Sequence, residues 1–303
     1  MQGNVKFYAV IGILLVAVGA TSFALYQALT PAPQVAEQPT TEVEPEPTPT
    51  VTQVEIGRSV ENRPIEVYRF GTGPTNLLFV GGIHGGYEWN SSLLAWEVID
   101  YLTINPSEVP AGLTVHVIPA LNPDGLALVT GTGGRFTTAD VPTPSERVAT
   151  GRFNANNVDL NRNFDCNWAP ESTWRGATVS AGSAPFSEPE AVALRDYVAT
   201  TNPAAVAFWH SQADNVYGSA CNGGVLPATT ALGTAYAAAA NYGYVNLFDA
   251  YPITGDAEGW LASLNIPAIT IEMESYIDTE WEQNWAGVQS WFDYFADTAL
   301  QVI

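Results

Sequence analysis

The stretch Gly81-Gly82-Ile83-His84-Gly85-Gly86-Tyr87-Glu88 follows an apolar run and delivers a histidine and a carboxylate close together at a glycine-rich turn. Such a pair is how a metal site begins. Zinc in a catalytic centre takes three protein ligands from histidine and carboxylate side chains and keeps one position open for water or substrate. Alone, a His followed four positions later by a Glu is weak, because a satisfied surface pair is commoner. The chain has only three histidines, so the search for a third ligand is short. AFWHSQ places His210 at the end of an apolar run, and PAITIEME places Glu272 among apolar residues at the end of another. A carboxylate there is costly to bury unless a metal, a charge partner or a proton offsets the cost. Upstream of both, GRFNANNVDLNRNF clusters Arg152, Asp159, Asn161, Arg162 and Asn163.

These groups need a frame. Residues 65–70 and 76–80 read as adjacent strands separated by the turn residues Gly71, Gly73 and Pro74. Residues 91–102 (SSLLAWEVIDYL) carry apolar side chains at helical spacing. Residues 113–119 form a strand entering the turn Asn122-Pro123-Asp124-Gly125, where Asn-Pro and Asp-Gly favour tight backbone geometry rather than ligation. A helix follows at 188–197, with Pro189 in its first turn where a missing N–H is harmless. Then come a buried strand at 204–209, an alanine-rich helix at 231–241, a core strand at 268–272 and a last helix near 285–302. Strands alternating with helices predict one α/β domain, with a mixed, mostly parallel sheet covered by helices on both faces. In such sheets sites gather at strand ends, where His84, His210 and Glu272 all fall. His116, in the alternating stretch LTVHVIP, reads as a packed residue. Trp168, Trp174 and Phe186 read as packing aromatics first and groove lining second.

The ends and the composition set the context. Residues 7–29 form an uncharged apolar run long enough to cross a bilayer, preceded by Lys6, the only lysine of the chain. This predicts a retained membrane anchor within residues 1–30, with a cleaved secretory signal as the competing reading. Either way the remainder is exported. Residues 31–52, rich in Pro, Glu and Thr, cannot bury enough surface to fold and read as a spacer, leaving residues 53–303 as the domain. A net charge of −21 leaves no basic face for a phosphate backbone, which excludes nucleic acid as a partner. The acidic surface serves solubility and would attract cationic peptides. Cys166 and Cys221 in an exported domain are compatible with one disulfide, two free thiols or a metal role for Cys166.

Taken together, the chain resembles the zinc carboxypeptidases of the M14 (carboxypeptidase A/B-like) family. The matching pieces are the His84 and Glu88 turn, NPDG at 122–125, GRFNANNVDLNRNF at 151–164, WHSQ at 209–212, the stretch from Tyr251 to Trp260, and TIEM at 270–273. They appear in the family's order across nearly the whole domain. The resemblance implies one zinc ion per chain, with His84, Glu88 and His210 as ligands. It implies Glu272 as the general base that takes a proton from the attacking water and later passes it to the leaving amine. Arg152 is implied as the group facing the developing oxyanion. Asn161 and Arg162 match the pair that holds a terminal carboxylate, where a planar guanidinium gives two parallel hydrogen bonds. Asp159 matches the residue that accepts the far N–H of the first zinc histidine. Tyr251 matches the mobile tyrosine of a loop that closes over substrate. Glu258 occupies the position that selects the terminal side chain, where an acidic residue favours Lys or Arg; otherwise it points to solvent.

The departures are informative. The family places the Glu three residues after the first His, whereas here Tyr87 holds that position and Glu88 comes fourth. Glu88 is still expected to be the ligand, since a glycine-rich turn can absorb one residue. Ser211 and Gln212, after His210, receive no catalytic role. The function implied is a membrane-tethered, monomeric zinc carboxypeptidase that trims peptides with a free C-terminal carboxylate outside the cytoplasm. Substrates with basic ends and cell-wall peptides ending in a diamino acid share a cation beside a carboxylate, so a murein-peptide amidase stands beside the main reading. A zinc deacylase acting on small N-acyl amino acids fits less well, given the full set of Arg152, Asn161, Arg162 and Tyr251. A peptide-binding module would require a lost ligand or base.

Overall fold

The computed structural model describes residues 51–142 and 146–300. The apolar run at 7–29 and nearly all of the spacer lie outside the described residues. Among those described, no helix is long and apolar enough to cross a membrane.

Eight strands form the main sheet: β1 (Thr52–Arg58), β2 (Pro64–Gly71), β3 (Thr75–Val80), β4 (Leu113–Ile118), β7 (Ala205–Ser211), β8 (Asn215–Gly218), β9 (Gly243–Val245) and β10 (Ala268–Met273). A separate hairpin is made by β5 (Glu171–Trp174) and β6 (Ala177–Ser180). The spatial order is β1-β2-β4-β3-β7-β10-β8-β9. The four central strands β4, β3, β7 and β10 run parallel, while β1, β2 and β8 pair antiparallel to their inner neighbours. The expected mixed sheet with a parallel centre is therefore present. One expectation fails: β2 and β3 are not neighbours, because β4 lies between them. The crossover from β3 through α1 (Trp89–Ile104) returns β4 parallel to β3, and β2 then docks antiparallel on the far side of β4. Gly71 and Gly73 do turn the chain, but against Leu113 rather than into a hairpin.

Helices cover both faces, which is why the central strands read as near-continuous apolar runs. On one face α1, α4 (Pro227–Ala240) and α6 (Trp281–Leu300) pack over Leu77, Phe79, Ala207, Trp209, Ile269 and Ile271. On the other, α3 (Pro189–Thr201) and α5 (Ala257–Ser263) pack over Leu78, Val80, Val206, Phe208 and Ala268. The alternation follows from the two-residue period of a strand. Each fully buried Leu, Ile or Phe in these layers contributes about 1.5–3 kcal/mol, enough to fix the central strand ends in place.

Candidate active site

Period-two alternation continues past the apolar residues of β7 and β10. Val206, Phe208 and His210 share one face, and so do Ala268, Thr270 and Glu272, with His210 directly opposite Glu272 in the parallel register. Where the apolar layer ends, the same face carries the polar groups. Beside them, β3 leaves the sheet through Gly81 and Gly82, which are clamped to the exit of β4 by Gly81 N to Ile118 O (2.8 Å) and Asn122 N to Gly82 O (2.9 Å). His84 follows immediately.

The extra residue between His84 and Glu88 is absorbed by backbone geometry. Gly85 takes φ +47°, and a Cβ there would lie 2.6 Å from the carbonyl oxygen of Gly151, so both conformation and contact demand glycine. A 3₁₀ turn at Gly85–Glu88 then leads into α1. Glu88 is buried, with Oε2 3.0 Å from His210 Nδ1, and Ser211 N also donates to that oxygen at 3.3 Å. Tyr87 points elsewhere: its hydroxyl meets Tyr276 Oη at 2.7 Å and accepts from Arg175 Nη1 at 3.2 Å.

His84, Glu88 and His210 are all buried, and one potential ligand atom from each lies within 4.8 Å of the others. His84 Nδ1 and His210 Nε2 have no aligned hydrogen-bond partner, a costly state for buried polar atoms. Burial, then Arg152 and His210, holds His84 well below the usual histidine range. Burial would also pull His210 down, but Glu88 and Glu258 beside its two nitrogens outweigh it and push the ring up to about 10. Two imidazoles and a carboxylate, one ring neutral and one carrying a proton that a dication would displace, make a donor set suited to zinc. Glu272, partly exposed to the cavity, is raised to about 7 by burial first and by the charge of Glu88 second.

The segment after Ala149 supplies the arginines. Asn122, the cap of α2 (Pro123–Thr130), accepts from Gly125 N at 2.9 Å and donates through Nδ2 to the Arg152 carbonyl at 3.2 Å, so the NPDG turn acts through backbone geometry as expected. Arg152 donates from Nε and Nη2 to Asp159 Oδ2, both at 2.9 Å, and lies 4.6 Å above the Trp174 ring. Asp159 lies beside both His84 and Arg152. Its Oδ1 stands 3.5 Å from His84 Nδ1 and accepts from Asn161 N at 3.2 Å, while Oδ2 takes the two bonds from Arg152. Arg162 is held by its Nη1 bond to Asn161 O (2.6 Å), leaving its buried Nε without a partner. Asn161 Oδ1 accepts from Ala257 N at 2.8 Å and so anchors the start of α5.

His84, Glu88, His210, Arg152, Asn161 and Arg162 line one cavity of about 980 Å³, which also takes in Tyr251, Asp256, Glu258 and Glu272. Tyr251 sits on the 246–256 loop, edge-on to Phe248 at 4.8 Å. That loop ends at Gly255 (φ +70°), where a Cβ would fall 2.2 Å from the Arg162 carbonyl oxygen. Glu258 does not point to solvent: it is buried, with Oε1 3.1 Å from Thr270 Oγ1 and 3.3 Å from His210 Nε2. Burial and the charge of Glu258 raise Asp256 to about 6. Cys166 and Cys221 form a disulfide, which removes the metal role considered for Cys166.

Of the three uncertain aromatics, Trp174 lines the cavity, whereas Trp168 bonds Ala181 O and Phe186 packs on Phe164 and Trp260. His116 bonds Tyr197 Oη (2.6 Å) and Asn76 Oδ1 (2.9 Å) away from this cavity. Ser211 donates to Asn90 Oδ1 at 2.9 Å, and a cis peptide joins it to Gln212. Sequence reasoning missed Arg175, Thr270 and Tyr276, all on the cavity wall. Thr270 was within reach, since it lies two residues before Glu272 in a strand.

A zinc carboxypeptidase family model matches residues 42–287. Carboxypeptidase E of Caenorhabditis elegans is 35% identical over 127 residues, 37% of this chain and 25% of that protein. The gamma-D-glutamyl-L-diamino acid endopeptidase 1 of Lysinibacillus sphaericus is 27% identical over 184 residues, 54% of this chain and 46% of that protein. The chain thus spans less than half the length of these relatives. Bovine thrombin-activatable fibrinolysis inhibitor, solved with a tick carboxypeptidase inhibitor, superposes with a TM-score of 0.67 at 18% identity, over 82% of this chain and 91% of that one. The murein-tripeptide amidase of Escherichia coli O157 superposes with a TM-score of 0.55 at 23% identity, over 84% and 94%. These two likenesses concern the fold; the match across residues 42–287, joined to a buried His84, Glu88 and His210 cluster, means that the chain belongs to the zinc carboxypeptidase (M14) family.

Proposed function

We propose that this protein is a zinc metallocarboxypeptidase that removes the last residue of extracytoplasmic peptides, with a preference for basic or diamino-acid ends. The observation that carries this reading is the meeting, in one cavity, of the His84, Glu88 and His210 cluster with Glu272 and with the Asn161 and Arg162 pair. When bound, zinc supplies Lewis acidity that lowers the pKa of water and polarises a carbonyl.

The chain's own residues do the rest. Arg162, on the cavity wall with Nη1 bonded to Asn161 O and Nη2 to Thr173 O, brings a guanidinium charge to the substrate's terminal carboxylate, and this selects for exopeptidase cleavage. Glu272 takes the proton of the attacking water and returns it to the leaving amine; a raised pKa suits a group that must do both near neutrality. Arg152, fixed by Asp159 and Trp174, donates to the oxyanion as it forms. Tyr251 closes from its loop over the bound end. Asp256 and Glu258 give this part of the cavity a negative charge, which favours a cationic terminal side chain.

Residues 7–29 would hold the domain at the outer face of a membrane, as a monomer on its Pro/Glu/Thr-rich spacer. The Cys166–Cys221 disulfide supports an oxidising compartment. A second reading, hydrolysis of cell-wall stem peptides, draws on the exposed Arg175, a third arginine on the cavity wall suited to a substrate with an additional carboxylate. Release of C-terminal residues from peptides ending in Lys, Arg, Phe, Glu and diaminopimelate, with and without a chelator, tests both readings. Equal cleavage of free and C-terminally amidated peptides would overturn the carboxypeptidase assignment.

A further inference from the structure

Each strand-end group of this site has a neighbour fixed by topology rather than by sequence distance. His210 and Glu272 face one another across β7 and β10, and Thr270, one strand period earlier, lies on the same side of the sheet. Helix α5 packs on that side. Its start is pinned twice, by Asp256 capping Gly259 N at 2.7 Å and by Asn161 accepting from Ala257 N at 2.8 Å. Glu258 is the second residue of this helix, so its carboxylate is carried over the end of the sheet and buried there.

The side chain is placed with unusual definition for a group expected only to await a substrate. Oε1 receives the Thr270 hydroxyl at 3.1 Å and stands 3.3 Å from His210 Nε2. Nε2 is buried and has no aligned partner of its own. The opposite nitrogen, Nδ1, faces the metal-ligand carboxylate of Glu88 at 3.0 Å. A ligating histidine keeps one ring nitrogen for the metal and gives the other N–H to an acceptor, which sets both tautomer and ring orientation.

On the basis of the zinc carboxypeptidase reading above, we propose that Glu258 is a positioning residue for the metal site: with Thr270 holding its Oε1, it accepts the Nε2–H of His210 and keeps Nδ1 turned toward Glu88. Selection of a cationic substrate end then falls on Asp256, the other carboxylate of that part of the wall, and on whatever remains open at Glu258 Oε2. The two zinc histidines are backed unequally. Asp159 stands 3.5 Å from His84 and also holds Arg152 through two bonds, whereas Glu258, 3.3 Å from His210, is held only by the Thr270 hydroxyl and is free to accept from the ring.

The test is zinc affinity by chelator competition in wild type, E258A, E258Q and T270V, with the visible absorption of the Co2+-substituted proteins as a report on ligand geometry. E258A should bind zinc about 10- to 100-fold more weakly and shift the cobalt spectrum. E258Q, whose amide oxygen still accepts from Nε2–H, should recover most of the affinity, and T270V should lose only a few-fold. Wild-type zinc affinity and an unchanged cobalt spectrum in E258A, with a fallen ratio of kcat/KM for Arg- over Phe-terminated peptides, would overturn the proposal and leave Glu258 as a specificity residue alone. Should E258A not fold by circular dichroism, T270V decides, and wild-type zinc affinity with an unchanged cobalt spectrum in T270V overturns it. Failure of the underlying reading shows separately, as a wild-type protein that neither holds zinc nor releases C-terminal residues.

Discussion

The inner and outer walls of the cavity are built differently. On the inner wall, His210, Thr270 and Glu272 stand on central strands whose neighbours are buried on both faces, and His84 follows β3 by four residues. The outer wall consists of the β5–β6 hairpin and the 246–256 loop, joined by a bond between hydroxyls that Thr254 Oγ1 donates to Ser172 Oγ at 3.0 Å. Trp174 and Arg175 come from that hairpin and Tyr251 from that loop. Groups that must stay fixed through bond breaking sit on the rigid part. Groups that must admit and release a substrate sit where little packing opposes motion. The Cys166–Cys221 disulfide borders the second region and supplies covalently some of what packing does not.

If that division holds, substitutions on the inner wall should act on turnover and those on the outer wall on binding. Glu272→Gln should keep zinc, by metal analysis, and lose about 10²- to 10⁴-fold in kcat; loss of metal instead would place Glu272 among the ligands. In the wild type, kcat/KM should rise with pH as Glu272 loses its proton, with an apparent pKa at or below about 7, since zinc would pull the carboxyl down from the value that burial and Glu88 impose. A kcat/KM that fell as pH rose from 5 to 8 would remove Glu272 as the base. Replacing Cys166 and Cys221 with serine frees a loop of 55 residues and should cost about 4 kcal/mol in denaturant unfolding. A loss under about 1 kcal/mol would mean that the outer wall is held by packing after all.

His116 probes the middle of the sheet, far from chemistry. Burial, aided by Arg69, lowers it to about 4, so its neutral form is favoured in the folded state. The stability this represents is present in full above the unfolded value near 6.5. It is lost as pH falls from there through about 4, amounting to about 3 kcal/mol. His116→Gln should flatten that loss in melts between pH 7 and pH 4, and an unchanged slope would contradict it. The smallest effect is expected on the outer wall: Trp174→Ala should raise KM by about 5- to 10-fold, equivalent to about 1 kcal/mol, with kcat changed less. An equal fall in kcat would show that the stacking of Trp174 on Arg152 matters in the transition state.

The parts of this molecule readable from sequence are those governed by one strong local rule. β3, β7 and β10 announce themselves as apolar runs, and their terminal His and Glu stand out because polar groups there need a reason. β1 carries no such signal because TQVEIGR is an edge strand with most of its residues exposed, and β5, β6, β8 and β9 have three or four residues each, too few for periodicity. The false adjacency of β2 and β3 arose because a glycine turn specifies reversal without specifying partner. Glu258 was assigned to the cavity by resemblance, but its contact with His210 depends on how α5 lies across β10, which no residue near position 258 encodes. How Asp159 divides between Arg152 and His84 is hidden for a similar reason: two donors compete for one carboxylate, and only geometry decides.

The turn at Gly85 also bears on how such sites are searched for and rebuilt. With φ at +47°, one glycine resets the direction of the chain, and the carboxylate four residues after His84 comes within 3.0 Å of His210. What matters at the metal is the bearing of the Cα–Cβ bond of Glu88, not the tally of residues that precedes it. Pattern searches written as fixed intervals would pass over this chain. An engineer wishing to lengthen or shorten a ligand loop has here a tolerance already built in: a residue can be gained if a glycine beside it is free to turn left-handed.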